Sequence, residues 1–115
     1  MESNQPAQMT DRPASGFIRK LHVVNKMGIH ARPATKIVEL TNAFEAEVTF
    51  SKDGEEVDAK SVFGVMTLAA TQGTVLTARA RGVDAEDALE ALDRLFQSGF
   101  DENGGESEGS GEPSA

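Results

Sequence analysis

The sequence predicts an α+β fold, with three helices on one face of a four-stranded, mostly antiparallel sheet. Four short segments alternate apolar and polar residues, as strands with one buried face do, and three others repeat apolar residues at helical spacing. The predicted elements follow one another in the order βαββαβα. Because each strand has one apolar face and each helix has one apolar stripe, a two-layer sandwich is the simplest arrangement that buries them all.

The chain has 115 residues, which is room for one domain and one core. We expect that domain to occupy residues 17–100. Residues 1–16 form a polar leader, and residues 101–115 form an acidic tail rich in Gly, Ser and Glu. Segments of this composition bury too little apolar surface to offset their ordering entropy. We therefore expect both the leader and the tail to be disordered.

A short turn separates the first strand from the first helix. The strand is expected to end at Asn25, with Leu21 and Val23 on its apolar face. His22 lies on the opposite face of the strand, where we expect it to contact solvent. The helix is expected to begin at Ala31. Its apolar stripe consists of Ala34, Ile37, Val38, Leu40, Thr41 and Phe44.

A hairpin is expected after the first helix. The segment around Val48 alternates apolar and polar residues, as a second strand does. Asp53 and Gly54 follow it, a pair that tolerates the positive φ of a tight hairpin turn. The third strand is then expected to run antiparallel to the second and to include Val57 and Ala59.

The second helix is expected to begin after Ser61, whose hydroxyl is a typical N-cap, and to end at Gln72-Gly73. A fourth strand follows. Asp84 and Asp87 resemble a capping box at the start of a third helix. The expected stripe of the second helix is Val62, Val65, Met66 and Ala69, and that of the third is Ala85, Ala88, Leu89, Leu92, Leu95 and Phe96.

The segment between the first strand and the first helix carries the candidate chemistry. Gly28 can adopt the positive φ that a sharp strand-to-helix turn needs, and Pro33 is tolerated within the first helical turn. His30 is therefore expected at or just before the helix start. The free amides of Ala31 and Arg32, with the positive end of the helix dipole, favour an anion there and disfavour an imidazolium.

A neutral imidazole in this position can attack phosphorus. The phosphoryl oxygens would then meet the same amides, and Arg32 would add charge-assisted hydrogen bonds. Positioning and electrostatics supply most of the help in phosphoryl transfer, so this interpretation requires no metal. The residues alone leave alternatives open, because a histidine near a helix start is often only a capping or surface residue. A metal site is a poorer alternative, since His22 and His30 are the only histidines and no ligand cluster accompanies them.

Two motifs make the sequence resemble the HPr family, the phosphocarriers of the phosphoenolpyruvate-dependent phosphotransferase system. The first motif is Gly28-Ile29-His30-Ala31-Arg32-Pro33-Ala34, and the second is Lys60-Ser61-Val62-Phe63-Gly64-Val65-Met66-Thr67-Leu68, followed by Thr71-Gln72-Gly73. The resemblance covers residues 17–100. It implies an open-faced sandwich with the element order given above.

The resemblance implies that His30 is phosphorylated through its Nδ1 and that Arg32 assists. It implies Enzyme I, charged from phosphoenolpyruvate, as the donor and Enzyme IIA as the acceptor. Ser61 matches the serine that HPr kinase/phosphorylase modifies in some members, and a phosphate there would add negative charge beside the docking surface. A simple N-cap is the alternative role for Ser61. The implied protein is a monomeric carrier in the cytoplasm, neither an enzyme nor dependent on a cofactor.

A partner-binding patch is expected beside the histidine. Phe63 lies off the apolar stripe of the second helix, and an exposed aromatic ring next to a reactive side chain suggests a docking surface. Packing of Phe63 on a sheet edge is the alternative. We expect Met66 and Ala31 to belong to the same patch.

Different segments resemble different branches of the family. Residues 95–102 and 45–48 resemble the nitrogen-related NPr branch, whereas residues 60–66 resemble the sugar-transport branch. The leader and the tail depart from the family, whose members are shorter at both ends. A regulatory binding module, recognised through phosphorylation of Ser61 or His30, is therefore a second hypothesis. A hydrolytic enzyme is a third and is disfavoured, because the sequence offers no catalytic base, no paired carboxylates and no Gly-rich nucleotide loop at these motifs.

The composition argues against several other classes of protein. The net charge is −8, but the tail holds five acidic residues and no base, so residues 17–100 are nearly neutral and offer no large basic face for nucleic acid. The absence of cysteine excludes disulfides and thiolate metal sites. No apolar run approaches the ~20 residues of a membrane span, and residues 1–16 lack the pattern of a secretory signal. We therefore expect a cytoplasmic protein with no membrane insertion.

Overall fold

The computed structural model describes residues 16–101. Apart from Gly16 and Asp101, the predicted leader and acidic tail lie outside the described residues. The strands are β1 (Phe17–His22), β2 (Glu47–Lys52), β3 (Glu55–Asp58) and β4 (Val75–Arg81). The helices are α1 (Ala31–Thr41), α2 (Val62–Thr67) and α3 (Ala85–Gln97), and a 3₁₀ turn follows at Gly99–Asp101. The predicted order βαββαβα is confirmed.

The four strands form one antiparallel sheet in the order β1-β4-β2-β3. β4 therefore pairs on both sides, with β1 and with β2. In the register of β1 with β4, Leu21 lies opposite Leu76 and His22 lies opposite Val75. The end of β1 thus lies beside the beginning of β4, which brings the segments that follow β1 and precede β4 to the same edge of the sheet.

One hydrophobic core lies between the sheet and the three helices, which share one face of it as predicted. Its centre is a row of fully buried phenylalanines contributed by β2, α3 and the 3₁₀ turn. The ring centroids of Phe50 and Phe96 are 6.0 Å apart and those of Phe96 and Phe100 are 4.9 Å apart, both in edge-to-face geometry. None of the helices within residues 16–101 has both the length and the apolar character needed to cross a bilayer.

The predicted hairpin turn between β2 and β3 is confirmed. Asp53 and Gly54 have φ values of 53° and 85°, the pair of positive angles that an Asp-Gly turn adopts. β3 ends at Asp58, one residue before the predicted Ala59. The amide of Ala59 still donates to the Val48 carbonyl at 2.9 Å, so its backbone continues the pairing.

Two predicted boundaries of the first strand and helix extend too far. β1 ends at His22 and not at Asn25: the Val23 backbone still bonds to residues 73 and 74, but Asn25 is buried in the turn that follows. α1 ends at Thr41. Phe44 lies beyond the end of α1, half-buried against the core, so the predicted stripe is correct in its contacts and wrong in its helical extent.

α2 is shorter than its apolar stripe predicts. It ends at Thr67, and Ala69 lies outside the helix, exposed, with a φ of 51°. The predicted end at Gln72-Gly73 is therefore wrong. The physical reason is a tertiary hydrogen bond: the left-handed turn at Ala69 places the carbonyl of Ala70 2.9 Å from the amide of Ile29. The predicted N-cap is confirmed, because the Ser61 hydroxyl accepts from the Gly64 amide at 3.0 Å.

The predicted capping box at the start of α3 is wrong. Asp84 occupies the N-cap position, but its side chain caps no amide of α3. Its carboxylate instead accepts from the amides of Glu45, at 2.9 Å, and Ala46, at 2.8 Å. Asp84 therefore ties the beginning of α3 to the segment that enters β2, a link between residues far apart in the sequence.

Replacing Asp84 by alanine is expected to destabilise the fold, because the amides of Glu45 and Ala46 lose their acceptor. The hydrogen bond from Glu45, with help from that of Ala46 and the charge of Lys60, lowers the pKa of Asp84 from its ordinary value of 3.8, although loss of hydration opposes the shift. A lowered pKa in the folded state stabilises above the pKa of the unfolded chain, and this stabilisation disappears as the pH falls through the folded pKa.

Urea unfolding of the parent and of Asp84→Ala at about pH 7 and about pH 2.5 measures this contribution. The difference in unfolding free energy between the parent and Asp84→Ala should be smaller at about pH 2.5 than at about pH 7. Asp84→Asn is the matched variant, since it keeps the shape of the side chain and removes the charge. An equal difference at both pH values would contradict the assigned role of the carboxylate.

Candidate functional site

The turn between β1 and α1 is bound to the segment that precedes β4. The amide of Val23 donates to the Thr74 carbonyl at 2.9 Å, and the amide of Gly73 donates back to the Val23 carbonyl at 2.8 Å. Gln72 Nε2 donates to the Val24 carbonyl at 3.0 Å. Residues 72–74 therefore support the start of the turn, and the Ala70 carbonyl supports its end through the Ile29 amide.

Gly28 is the point of closest approach between the turn and this support. Its φ is 71°, as predicted, and a Cβ built there would lie 2.6 Å from the Ala70 carbonyl oxygen and 2.9 Å from Thr71 Cα. A side chain at this position would therefore meet backbone atoms that cannot rotate away. Glycine is required here both for its backbone angle and for the absence of a side chain.

Asn25 braces the same turn from inside and was missed by the sequence analysis. Its side chain is completely buried, and its Nδ2 donates to the Gly28 carbonyl at 2.8 Å. The Gly28 amide donates to the Asn25 carbonyl at 3.2 Å, which closes the turn. The preference of asparagine for turns is the one property of the sequence that could have indicated this role.

His30 occupies the N-cap position of α1, which confirms its predicted place at the helix start. Its backbone is extended, its side chain is half-buried, and the imidazole does not cap the helix. The first hydrogen bond of the helix runs from the amide of Ala34 to the His30 carbonyl at 3.0 Å. The amides of Ala31 and Arg32 therefore have no acceptor within the helix, and Pro33 stands where no donor is needed.

The first turn of α1 provides a positive electrostatic environment. It contains no acidic residue, and the guanidinium of Arg32 is exposed two positions after His30. Helix N-termini carry a partial positive charge and offer amide donors, which together bind anions. A half-buried imidazole at this point can hold a phosphoryl group while amides and a guanidinium neutralise its charge.

The two ends of α2 lie at different distances from this turn. The C-terminal end leads into Ala70, whose carbonyl binds the Ile29 amide, and Met66 is the predicted residue of α2 nearest that end. Ser61 is at the opposite end, about 7.5 Å from Met66 along the helix. Its half-buried hydroxyl is engaged by the Gly64 amide.

Several apolar side chains of the turn, of α1 and of α2 are exposed. Phe63 is 80% exposed, so the alternative in which it packs on a sheet edge is wrong. Met66 is 40% exposed and Ala31 is exposed as well. Met27, which the sequence analysis missed, is 72% exposed within the turn itself. His22 is exposed, as predicted.

Comparison with known proteins identifies relatives over most of the described region. The PTS-HPr family model, described as the PTS HPr component phosphorylation site, matches residues 17–98. Phosphocarrier protein HPr of Xylella fastidiosa strain Temecula1 is 46% identical over 84 residues, which are 73% of this chain and 94% of that protein. Phosphocarrier protein NPr of Escherichia coli K12 is 43% identical over 84 residues, 72% of this chain and 93% of that protein.

A solved structure agrees with the fold. The crystal structure of HPr from Thermoanaerobacter tengcongensis superposes with a TM-score of 0.71 at 38% sequence identity, over 74% of this chain and 96% of that one. The relatives named HPr and NPr are similar to this chain at close values of identity, as the mixed resemblance of its segments predicts. On the extent of these matches and the motif around His30, the chain belongs to the HPr family of phosphocarrier proteins.

Proposed function

We propose that this chain is a phosphocarrier of the phosphoenolpyruvate-dependent phosphotransferase system, which accepts a phosphoryl group from Enzyme I on His30 and passes it to Enzyme IIA. The observation that carries the proposal is the position of His30 as the N-cap residue of α1, ahead of two amides that have no acceptor within the helix. Family membership supports the same role.

The chemistry requires little from the protein beyond placement. The lone pair of His30 Nδ1 attacks phosphorus, the new N–P bond forms as the bond to the donor breaks, and the amides of Ala31 and Arg32 bind the phosphoryl oxygens. Arg32 adds a cation beside them. Transfer to the acceptor reverses these steps. The chain thus acts as a carrier that donor and acceptor proteins use in turn, and not as an enzyme with its own turnover.

Docking of these partners would use the exposed apolar side chains beside His30. Phe63, Met66 and Ala31 are exposed, and we propose that they form a small patch next to the reactive imidazole. Small patches suit brief encounters with several partners, because weak transient complexes bury little surface. We propose that the carrier works as a cytoplasmic monomer, with residues 17–100 as its one domain.

Replacing His30 by alanine is expected to abolish phosphoryl acceptance, because no other side chain holds a nucleophile at this helix start. The measurement is intact mass after incubation with Enzyme I and phosphoenolpyruvate, followed by acid treatment, which removes phosphate from histidine. His22→Ala is the matched control and should accept one phosphate like the parent. Acceptance by His30→Ala, or loss of acceptance in a folded His22→Ala, would contradict the proposal.

Replacing Arg32 by alanine is expected to slow acceptance about tenfold without stopping it, because one charge-assisted hydrogen bond is lost while the helix amides are retained. Rapid-quench measurement of the rate of phosphorylation by Enzyme I tests this. Arg94→Ala is the control, since it removes an exposed cation from α3. Equal rates for the parent and Arg32→Ala would remove Arg32 from the mechanism.

Ser61 is proposed as a regulatory phosphorylation site through which a kinase such as HPr kinase/phosphorylase lowers acceptance at His30. Two variants separate its capping role from an effect of charge. Ser61→Ala should lower the free energy of unfolding by about 1 kcal/mol, because the Gly64 amide loses its cap. Ser61→Asp keeps a capping oxygen and adds negative charge, so it should slow acceptance from Enzyme I while retaining stability in urea. If Ser61→Asp accepts phosphate from Enzyme I at the rate of the parent, Ser61 acts only as the N-cap of α2.

A further inference from the structure

Positive charge is concentrated in one part of this acidic chain. Residues 17–43 contain one acidic residue, Glu39, although the net charge of the whole chain is −8. The bases of this segment are Arg19, Lys20, Lys26, Arg32 and Lys36. Arg19 and Lys20 lie on β1, where Arg19 pairs with Asp93, whereas Lys26, Arg32 and Lys36 lie in the turn and the helix that hold His30.

Arg32 and Lys36 form a basic face on α1. They lie four residues apart, so their side chains project from the same side of the helix. Within the part of the chain that the structure describes, Arg32 is exposed and joins no ion pair. Lys36 Nζ lies 4.0 Å from Oδ2 of the exposed Asp101, and Glu39, the one acid of α1, lies three residues further along the same side of the helix. This face can therefore accept further negative charge.

The chain leaves the described fold at this same face. Lys36 Nζ donates to the carbonyl of Phe100 at 2.7 Å, and the ring of Phe100 is fully buried. The exit point is thus fixed on α1, six residues from His30, which corresponds to about 9 Å along the helix. The residues that follow are acidic: Glu102, Glu106, Glu108 and Glu112, with no base among them.

Length places these acids within reach of the basic face. Five extended residues span at most about 17 Å, so Glu102 and Glu106 can reach Arg32 from an exit beside Lys36. A segment tethered this closely meets its site at an effective concentration in the millimolar range. Exposed ion pairs are individually weak, but several of them on such a tether act together.

We propose that residues 102–112 dock on the basic face formed by Arg32 and Lys36 and compete with partner proteins for the surface beside His30. The segment has no large apolar side chain, so it leaves Met27, Phe63 and Met66 uncovered and acts through charge. Salt screens such contacts: the Debye length, beyond which charges scarcely interact, is about 30 Å at 0.01 M salt and about 10 Å at 0.1 M. The docked state is populated at low ionic strength and empties as salt is added. The competition rests on the proposed carrier function, whereas the docking does not.

The test uses the full chain and its variant Glu102→Gln/Glu106→Gln. Two-dimensional NMR spectra are recorded at about 10 mM and about 0.3 M salt, and the amide shifts of Arg32 and Lys36 are followed. In the parent these shifts should move with salt, and in the variant they should already have their high-salt values at low salt. The control Glu55→Gln/Glu86→Gln removes two exposed acids elsewhere in the fold and should behave like the parent.

The rate of phosphorylation by Enzyme I gives an independent readout. At low salt the tail variant should be phosphorylated about threefold faster than the parent, and the two rates should converge at high salt. Identical Arg32 and Lys36 shifts in parent and variant at low salt would overturn the docking. Shifts that vanish on dilution would also overturn it, since they would indicate contact with a second copy. Failure of both proteins to accept phosphate would contradict the carrier function and leave the NMR result standing.

Discussion

The hydrogen bond from the Ile29 amide to the Ala70 carbonyl joins the turn before α1 to the segment after α2. Gly28 approaches that segment so closely that a single Cβ would collide with its backbone. Asn25 closes the turn from the buried side. The orientation of His30 at the start of α1 depends on these contacts, and so does the early end of α2, because Ala69 must turn left-handed to present the carbonyl of Ala70.

This arrangement separates a rigid support from an accessible reactive group. The backbone before His30 is held by hydrogen bonds to residues 70–74, while the imidazole is half-buried and Met27, Phe63 and Met66 are exposed. A carrier must present the same nitrogen to a donor and to an acceptor, so its nucleophile has to be both positioned and reachable. α2 contributes to this accessibility, because only Val65 among its residues is fully buried and its other side chains are at least partly exposed.

Periodicity in the sequence predicts the elements because the core is simple. Each strand contributes one face and each helix one stripe, so the alternation around Val48 predicts β2 and the stripe ending at Phe96 predicts α3. The Asp53-Gly54 turn and the Ser61 cap follow from local chemistry. The predictions from sequence are wrong where a side chain or backbone group bonds to a residue far away in the sequence and not to a neighbouring one. Asp84 has the position of a helix cap, yet its carboxylate binds the amides of Glu45 and Ala46.

The candidate site also combines features set by neighbouring residues with features set by contacts between distant residues. The sequence by itself determined that a histidine stands at a helix start, because Gly28, His30 and Pro33 lie at the spacing that local backbone preferences require. Only the tertiary structure decided that Asn25 and Ala70 hold that turn, that Phe63 is exposed, and that the chain leaves the fold beside Lys36. Neighbouring residues determine local backbone conformation, whereas contacts between distant segments depend on how the whole core packs.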